Sequence, residues 1–122
     1  MSISYEYTVS GPLLHFVASG ADDDVNDVLA YGAAVIEAAL THGTTRILCD
    51  ERELEYRLGT MDTHRAATTV AEHAPHVALI ALVCAPPFAR DAAFFETVAV
   101  NRGLSVRAFT DIDAASRWLA EN

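Results

Sequence analysis

A chain of 122 residues with 52% hydrophobic residues is long enough for a buried core and too apolar to remain disordered. Its net charge of −9 includes no lysine, and its eight arginines are dispersed, so we expect binding neither to a nucleic-acid backbone nor to anionic lipid. The sequence shows no secretion signal and no run of about 20 apolar residues. We therefore expect a cytoplasmic protein without membrane insertion.

The first part of the chain predicts a β-hairpin followed by a helix. Apolar residues alternate with polar ones from Ile3 to Val9, which predicts a strand with one buried face. A turn around Gly11 leads to a second strand over Leu13 to Ala18. Asp22 to Asp24 supply an N-cap for an amphipathic helix, and Gly43 stands where its C-terminal cap belongs.

The middle of the chain is the least regular. Arg46 to Cys49 predicts a short buried strand that ends at Asp50. The segment from Asp50 to Gly59 fits either a short extra strand or an extended loop. A second helix starts near Thr60 to Thr63, presents a narrow face of small residues, and ends at Pro75.

The last third predicts strand, helix, strand and helix. Val77 to Cys84 is apolar at every position, which is typical of a strand covered on both faces in a mainly parallel sheet. A helix follows up to Asn101, then a strand over Val106 to Thr110, and Thr110 to Asp113 fits a capped helix start. The order ββαβαβαβα predicts one α/β domain over residues 1–122. Its mixed, mainly parallel five-stranded sheet would be flanked by about four helices.

A family resemblance rests on two groups of residues. The first comprises Phe95-Glu-Thr-Val-Ala99, Asn101-Arg-Gly103, Val106-Arg-Ala-Phe109, Asp111-Ile-Asp-Ala114 and Trp118-Leu119; the second comprises Ile47-Leu-Cys-Asp50 and Thr60-Met-Asp-Thr63. With the element order, these residues resemble the STAS superfamily, and within it the small bacterial SpoIIAA-like (STAS/SEC14-type) proteins. The resemblance implies a STAS-like fold and a non-enzymatic regulatory or protein-interaction role, similar to that of anti-sigma-factor antagonists.

The resemblance also implies a place for phosphorylation. Members that act as anti-sigma-factor antagonists carry a phosphorylatable residue in an Asp-Ser-Ser-Gly-like motif at a helix start. This chain lacks that motif and has Thr60-Met-Asp-Thr-His-Arg65 in the comparable place. Thr60 and Thr63 are therefore either phosphorylation sites or helix caps, and Asp62 would repel an added phosphate.

Two hypotheses of function assign the segment after Asp50 differently. In the favoured one, the segment from Asp50 to Arg65 binds a protein partner, and the predicted binding residues are Asp50, Leu54, Tyr56, Arg57, Leu58, Met61 and Asp62. In the alternative, a SEC14-like carrier, Leu54–Met61 and Phe88–Phe95 line a cavity for a small apolar ligand or lipid. A homodimer is compatible with either hypothesis.

An enzyme that uses Cys49, Asp50 and His64 is the least favoured hypothesis. A carboxylate next to a thiol raises its pKa and so disfavours the reactive thiolate. The remaining histidines, His15, His42, His73 and His76, are scattered. Cys49 and Cys84 are expected to be buried, reduced thiols. We predict no catalytic residues, no metal site and no cofactor.

Overall fold

The computed structural model describes residues 2–74 and 79–122. The elements in these residues are β1 (Ile3–Ser10), β2 (Leu13–Ala21), α1 (Val25–His42), β3 (Arg46–Glu55), α2 (Thr60–His73), β4 (Leu79–Cys84), α3 (Ala89–Asn101), β5 (Val106–Phe109) and α4 (Ile112–Glu121), with a 3₁₀ turn over Pro86–Phe88. The predicted element order and α/β class are confirmed. The predicted helix end at Pro75, His76 and the strand start at Val77 lie outside the described residues.

The described strands form one five-stranded sheet whose spatial order follows the chain, β1-β2-β3-β4-β5. β1 and β2 pair antiparallel through the turn at Gly11, with Ile3 opposite Gly20. The other neighbours pair in parallel, because α1, α2 and α3 each return the chain to the starting end of the sheet. The predicted mixed, mainly parallel sheet is therefore confirmed.

The side chains of β3 and β4 alternate between two covered faces. Helices α1, α2 and α3 belong to the larger buried cluster, to which β3 contributes Ile47 and Cys49. Helix α4 covers the other face, where Ala115 and Leu119 pack with Leu48. Burial on both sides explains why β4 reads as an uninterrupted apolar run.

The helix ends show which predicted caps form. Asp24 caps α1 by accepting a 2.9 Å hydrogen bond from the backbone N–H of Asn26. Gly43 ends that helix in the left-handed conformation with φ 63°, as the sequence predicts. At α4, the cap is Asp111 rather than Thr110, because its carboxylate accepts a 3.0 Å bond from the N–H of Asp113.

Strand β1 differs from its prediction of one buried face. Tyr5, Tyr7 and Val9 are 46%, 42% and 41% exposed, since β1 is the edge strand and the helices cover little of it. Tyr7 instead stacks on Phe16 of β2 with ring centroids 4.8 Å apart. Gly20, at φ 103°, lets the two strands approach closely, because a Cβ there would collide with the carbonyl oxygen of Ser2.

Strand β3 is longer than predicted and continues to Glu55. Its pairing with β4 ends at Glu51 opposite Cys84, but its pairing with β2 continues to Glu55 opposite Ala21. The second part of β3 is therefore a continuation of the same strand, neither a separate strand nor a loop. The charged residues that suggested a strand end lie within the strand.

Candidate functional site

A partly enclosed cavity lies between the sheet and helices α1, α2 and α3. Its volume is about 100 Å³. The wall is mostly apolar and includes Val28, Val35, Leu54, Leu58, Leu82 and Phe95. The cavity volume is about two thirds of the roughly 150 Å³ that holds benzene in a dry engineered cavity, so the space suits part of a small organic molecule whose remainder extends into the cavity opening.

Glu51 places a carboxyl group in the mostly apolar lining of this cavity. Its side chain is buried, at 6% exposure, because residue 51 shares the cavity face of β3 with Cys49. The hydroxyl of Tyr56 donates a hydrogen bond to Oε1 of Glu51. The hydroxyl of Tyr31 on α1 lies near enough to influence Glu51 and Cys49, but it makes no hydrogen bond of normal geometry within the described residues.

The surroundings of Glu51 favour its protonated form. Burial raises the pKa of Glu51 from 4.5 to about 7, and the charges of Asp22 and Asp50 act in the same direction. The hydroxyls of Tyr56 and Tyr31 only partly offset this effect. Burial, and then the charge of Glu51, also raises the pKa of the Cys49 thiol. Cys49 is therefore poorly suited to be a nucleophile.

Asp22 forms a hydrogen bond with the segment from Glu55 to Leu58, which contributes Tyr56 and Leu58 to the cavity lining. Asp22 is buried, and its Oδ1 accepts a hydrogen bond from the backbone N–H of Arg57. Burial raises the pKa of Asp22, although the hydrogen bonds from the backbone of Arg57 and Leu58 oppose the change. The guanidinium of Arg57 adds exposed contacts to Asp23 at 2.8 Å and to Glu55 at 2.7 Å.

Some of the residues predicted to bind a partner or ligand line the cavity, and the others are exposed to solvent. Leu54, Tyr56, Leu58 and Thr63 line the cavity. Leu54 is only 3% exposed, so it offers no apolar contact to a partner. Arg57, Thr60, Met61 and Asp62 are exposed, and Met61 is 85% exposed.

Asp50 is not part of this site. The sequence predicted that the strand ends at Asp50, but Asp50 is 9% exposed and lies within β3. Arg52 donates to its two carboxylate oxygens, from Nε at 2.9 Å and from Nη2 at 2.8 Å. These hydrogen bonds hold the pKa of Asp50 below its ordinary value, which makes the pair a structural feature of β3.

The start of α2 has no side-chain cap. Gly59 occupies the N-cap position, so the capping role considered for Thr60 and Thr63 is wrong. Thr60 is exposed, whereas Thr63 lines the cavity and donates its backbone N–H to the carbonyl of Gly59 at 3.0 Å. Phosphorylation of either threonine stays a prediction.

The predicted aromatic lining is present in part. Phe95 lines the cavity, and Phe94 packs against the larger buried cluster. Phe88 packs on Tyr56 from outside the cavity lining, with ring centroids 5.5 Å apart. Tyr56 is therefore held between Phe88 and Glu51.

The structure offers little support for an enzyme built on Cys49 and His64. Cys49 is buried and lines the cavity, whereas His64 is exposed on α2 and does not line it. Within residues 2–74 and 79–122, no group of three or more His, Cys, Asp or Glu side chains is arranged to hold a metal ion. In the same residues, no helix has the length and apolar character to cross a membrane.

Sequence reasoning missed Glu51, Tyr31 and Asp22. The available signal was the alternation of Ile47, Cys49 and Glu51, which share one face if the strand continues. A charged run at 50–53 concealed that continuation. Tyr31 and Asp22 resemble ordinary helix and capping residues until the fold brings them to Glu51.

Comparison with known proteins identifies a fold. One solved structure, the crystal structure of an anti-sigma factor antagonist from Mycobacterium paratuberculosis, aligns with 98% of this chain and 95% of its own chain. The TM-score is 0.68 and the sequence identity is 17%. The shared architecture confirms the STAS-type fold implied by the sequence resemblance. No protein-family model matches the chain, and no curated protein matches it in sequence.

Proposed function

We propose that this protein is a non-enzymatic regulatory domain of STAS type that acts by binding a protein partner. The observation that carries the proposal is the fold, which is shared along nearly the whole chain with an anti-sigma factor antagonist. The raised pKa of the buried Cys49 thiol makes this side chain a poor nucleophile, which is in keeping with a binding role.

The exposed residues at the beginning of α2 are the partner surface in this proposal. We define the α2-start surface as Thr60, Met61, Asp62, His64 and Arg65. Met61 is 85% exposed, and its exposed neighbours along the chain are polar or charged. An adaptable apolar residue within a polar rim is typical of protein-binding surfaces.

A quantitative pull-down from the source cells tests this surface. The test variant is Met61→Ser with Arg65→Ser, and the matched control is Leu40→Ser, which removes an apolar side chain that is 70% exposed on α1. We expect wild type and Leu40→Ser to retain the same partner and the double variant to lose at least about tenfold of it. Equal recovery by all three proteins would count against the α2-start surface.

Phosphorylation of Thr60 would regulate this surface. The hydroxyl is exposed at the first residue of α2, where the backbone N–H groups attract negative charge and Gly59 offers no side-chain acceptor. Asp62 opposes the effect. We expect Thr60→Glu to change partner binding and Thr60→Ser to leave it unchanged; no difference between them would argue against this regulation.

Binding of a small apolar ligand is a second candidate function, favoured specifically by the cavity under α1–α3. Native mass spectrometry of freshly purified protein tests it. We expect an adduct that disappears on denaturation, and we expect Ala66→Leu to reduce it, because Ala66 is buried and lines the cavity. A mass of the bare chain in repeated preparations would contradict this function.

A further inference from the structure

We propose that the cavity binds a small apolar amine, whose ammonium group is held by the carboxylate of Glu51 and the hydroxyl of Tyr31. This inference rests on the second candidate function above and names the class of ligand. Its basis is the arrangement of polar groups in a wall that is otherwise mostly apolar.

The charges at the cavity favour a cation over an anion. Asp22, Glu51 and Asp91 line it, and none of its described lining residues is an arginine or a histidine. A fatty acid or a phosphorylated ligand would find no positive side chain there to offset its charge. A protonated amine would instead compensate a buried carboxylate.

The hydroxyl of Tyr31 supplies the second, independent observation. Tyr31 is 7% exposed and lines the cavity, and its hydroxyl lies near Glu51 and Cys49 but makes no hydrogen bond of normal geometry to the described residues. Buried hydroxyls are rarely left in this state, because the group loses its bonds to water without replacement. A ligand N–H would satisfy the oxygen of Tyr31.

Glu51 is oriented to accept a second N–H. The hydroxyl of Tyr56 donates to Oε1 of Glu51, and Tyr56 is itself packed against Phe88. This contact uses one lone pair of the carboxylate, and the remaining lone pairs can accept from a ligand. An ammonium group has several N–H donors, so it can bridge Glu51 and Tyr31 while its apolar body contacts the wall.

Binding of the amine is expected to follow the ionisation of Glu51. The titratable groups that influence or face Glu51 are Asp22 before α1, Tyr31 on α1, Cys49 and Asp50 on β3, Tyr56 after β3, Cys84 on β4 and Asp91 on α3. With a pKa of about 7, Glu51 is mostly protonated at pH 6 and mostly ionised at pH 8. We expect binding about tenfold tighter at pH 8 than at pH 6.

Three probes with the same ring and different head groups test the inference: benzylamine, benzyl alcohol and benzoate. Each is titrated into the full chain at pH 6 and pH 8, and binding is followed by NMR chemical shifts of cavity residues. We expect benzylamine to bind at least about tenfold more tightly than benzyl alcohol at pH 8, and benzoate not to bind.

Variants separate the two polar groups from general effects of charge. Glu51→Gln is expected to remove the preference for benzylamine and its pH dependence while benzyl alcohol still binds. Glu53→Gln is the matched control, because it removes an exposed carboxylate from the same strand; it should behave as wild type. Tyr31→Phe is expected to weaken the binding of benzylamine several-fold. This variant should still fold, since only the hydroxyl is lost.

The outcomes distinguish this inference from the function on which it rests. If benzyl alcohol or benzoate binds as tightly as benzylamine, the cavity binds ligands but the amine inference is overturned. If Glu53→Gln weakens benzylamine as much as Glu51→Gln does, the amine is held by general charge and the inference also fails. If none of the probes binds, ligand binding by the cavity fails as well.

Discussion

Asp50 and Glu51 are neighbouring carboxylates of one strand, and their environments differ in nearly every respect. Asp50 lies on the α4 side, where hydrogen bonds from Arg52 lower its pKa. Glu51 lies on the cavity side, where burial raises its pKa to about 7. The side-chain alternation of β3 is sufficient to give adjacent residues different chemistry. One carboxylate is therefore held in an ion pair, and the other lies in the lining of the cavity.

The two faces of the sheet differ in packing for a related reason. On the α4 face, Leu48 and Val83 pack directly against Ala115 and Leu119. On the other face, α2 presents small side chains and approaches α1 closely, since a Cβ on Gly32 would lie 2.9 Å from Cγ2 of Val70. Small residues leave space above the sheet, and that space is the cavity.

The largest expected effect is on stability, and it compares the packing of the two faces of the sheet. Leu48→Ala, on the α4 face, should lower the free energy of unfolding by about 3–4 kcal/mol because it creates a new cavity in a packed cluster. Leu54→Ala should cost about 2 kcal/mol, because it only enlarges an existing space. Both leucines are almost fully buried, at 4% and 3% exposure. Urea denaturation measures both values, and an equal or larger loss for Leu54→Ala would contradict the contrast.

The next effect concerns the pH dependence of stability. The pKa of Glu51 in the folded protein is raised from 4.5 to about 7, so its contribution to stability is complete below 4.5 and is lost as the pH rises through 7. We expect the free energy of unfolding of Glu51→Gln to rise by about 3 kcal/mol relative to that of wild type as the pH increases from 4.5 to 8.

Urea titrations at several pH values measure this change, with Glu53→Gln as the control for loss of one charge on β3. A stability difference between Glu51→Gln and wild type that does not vary with pH would show that the pKa of Glu51 is the same in the folded and unfolded protein.

A smaller effect is expected from the hydrogen bond that Tyr56 donates to Glu51. Tyr56→Phe should lower the free energy of unfolding by about 2 kcal/mol at pH 8, where Glu51 is ionised, and by less at pH 5. Tyr5→Phe, at a tyrosine of β1 that is 46% exposed, is the control and should have little effect. The same loss for Tyr56→Phe at both pH values would contradict a charge-assisted bond.

The smallest effect belongs to the ion pair of Asp50. The Arg52 side chain is 46% exposed, so Asp50→Asn should cost at most about 1 kcal/mol at pH 7. Because the pKa of Asp50 is lowered, its stabilising effect is present above its ordinary value of 3.8 and is lost as the pH falls. This sign is opposite to that of Glu51, and thermal unfolding between pH 3 and pH 7 measures it. A cost that increased towards low pH would be inconsistent with the pairing.

The sequence by itself determined the element order and most element boundaries. Helix α1 could be predicted because its period, the cap at Asp24 and the glycine at 43 agree. The apolar run that ends at Cys84 indicated a strand with two covered faces, and the small residues of α2 indicated a narrow packing face. These features are local, since they depend on propensity, period and capping within a few turns of chain.

Only the tertiary structure decided the site. Asp50, Glu51 and Arg52 read as the end of a strand, and β3 continues through them because β2 remains beside it as far as Glu55. The burial of Glu51 depends on the neighbouring strands and on Tyr31 from α1, far away in sequence. Leu54 and Tyr56 face inward for the same reason. Burial is a property of what packs against a residue, so charge and hydropathy along the chain do not specify it.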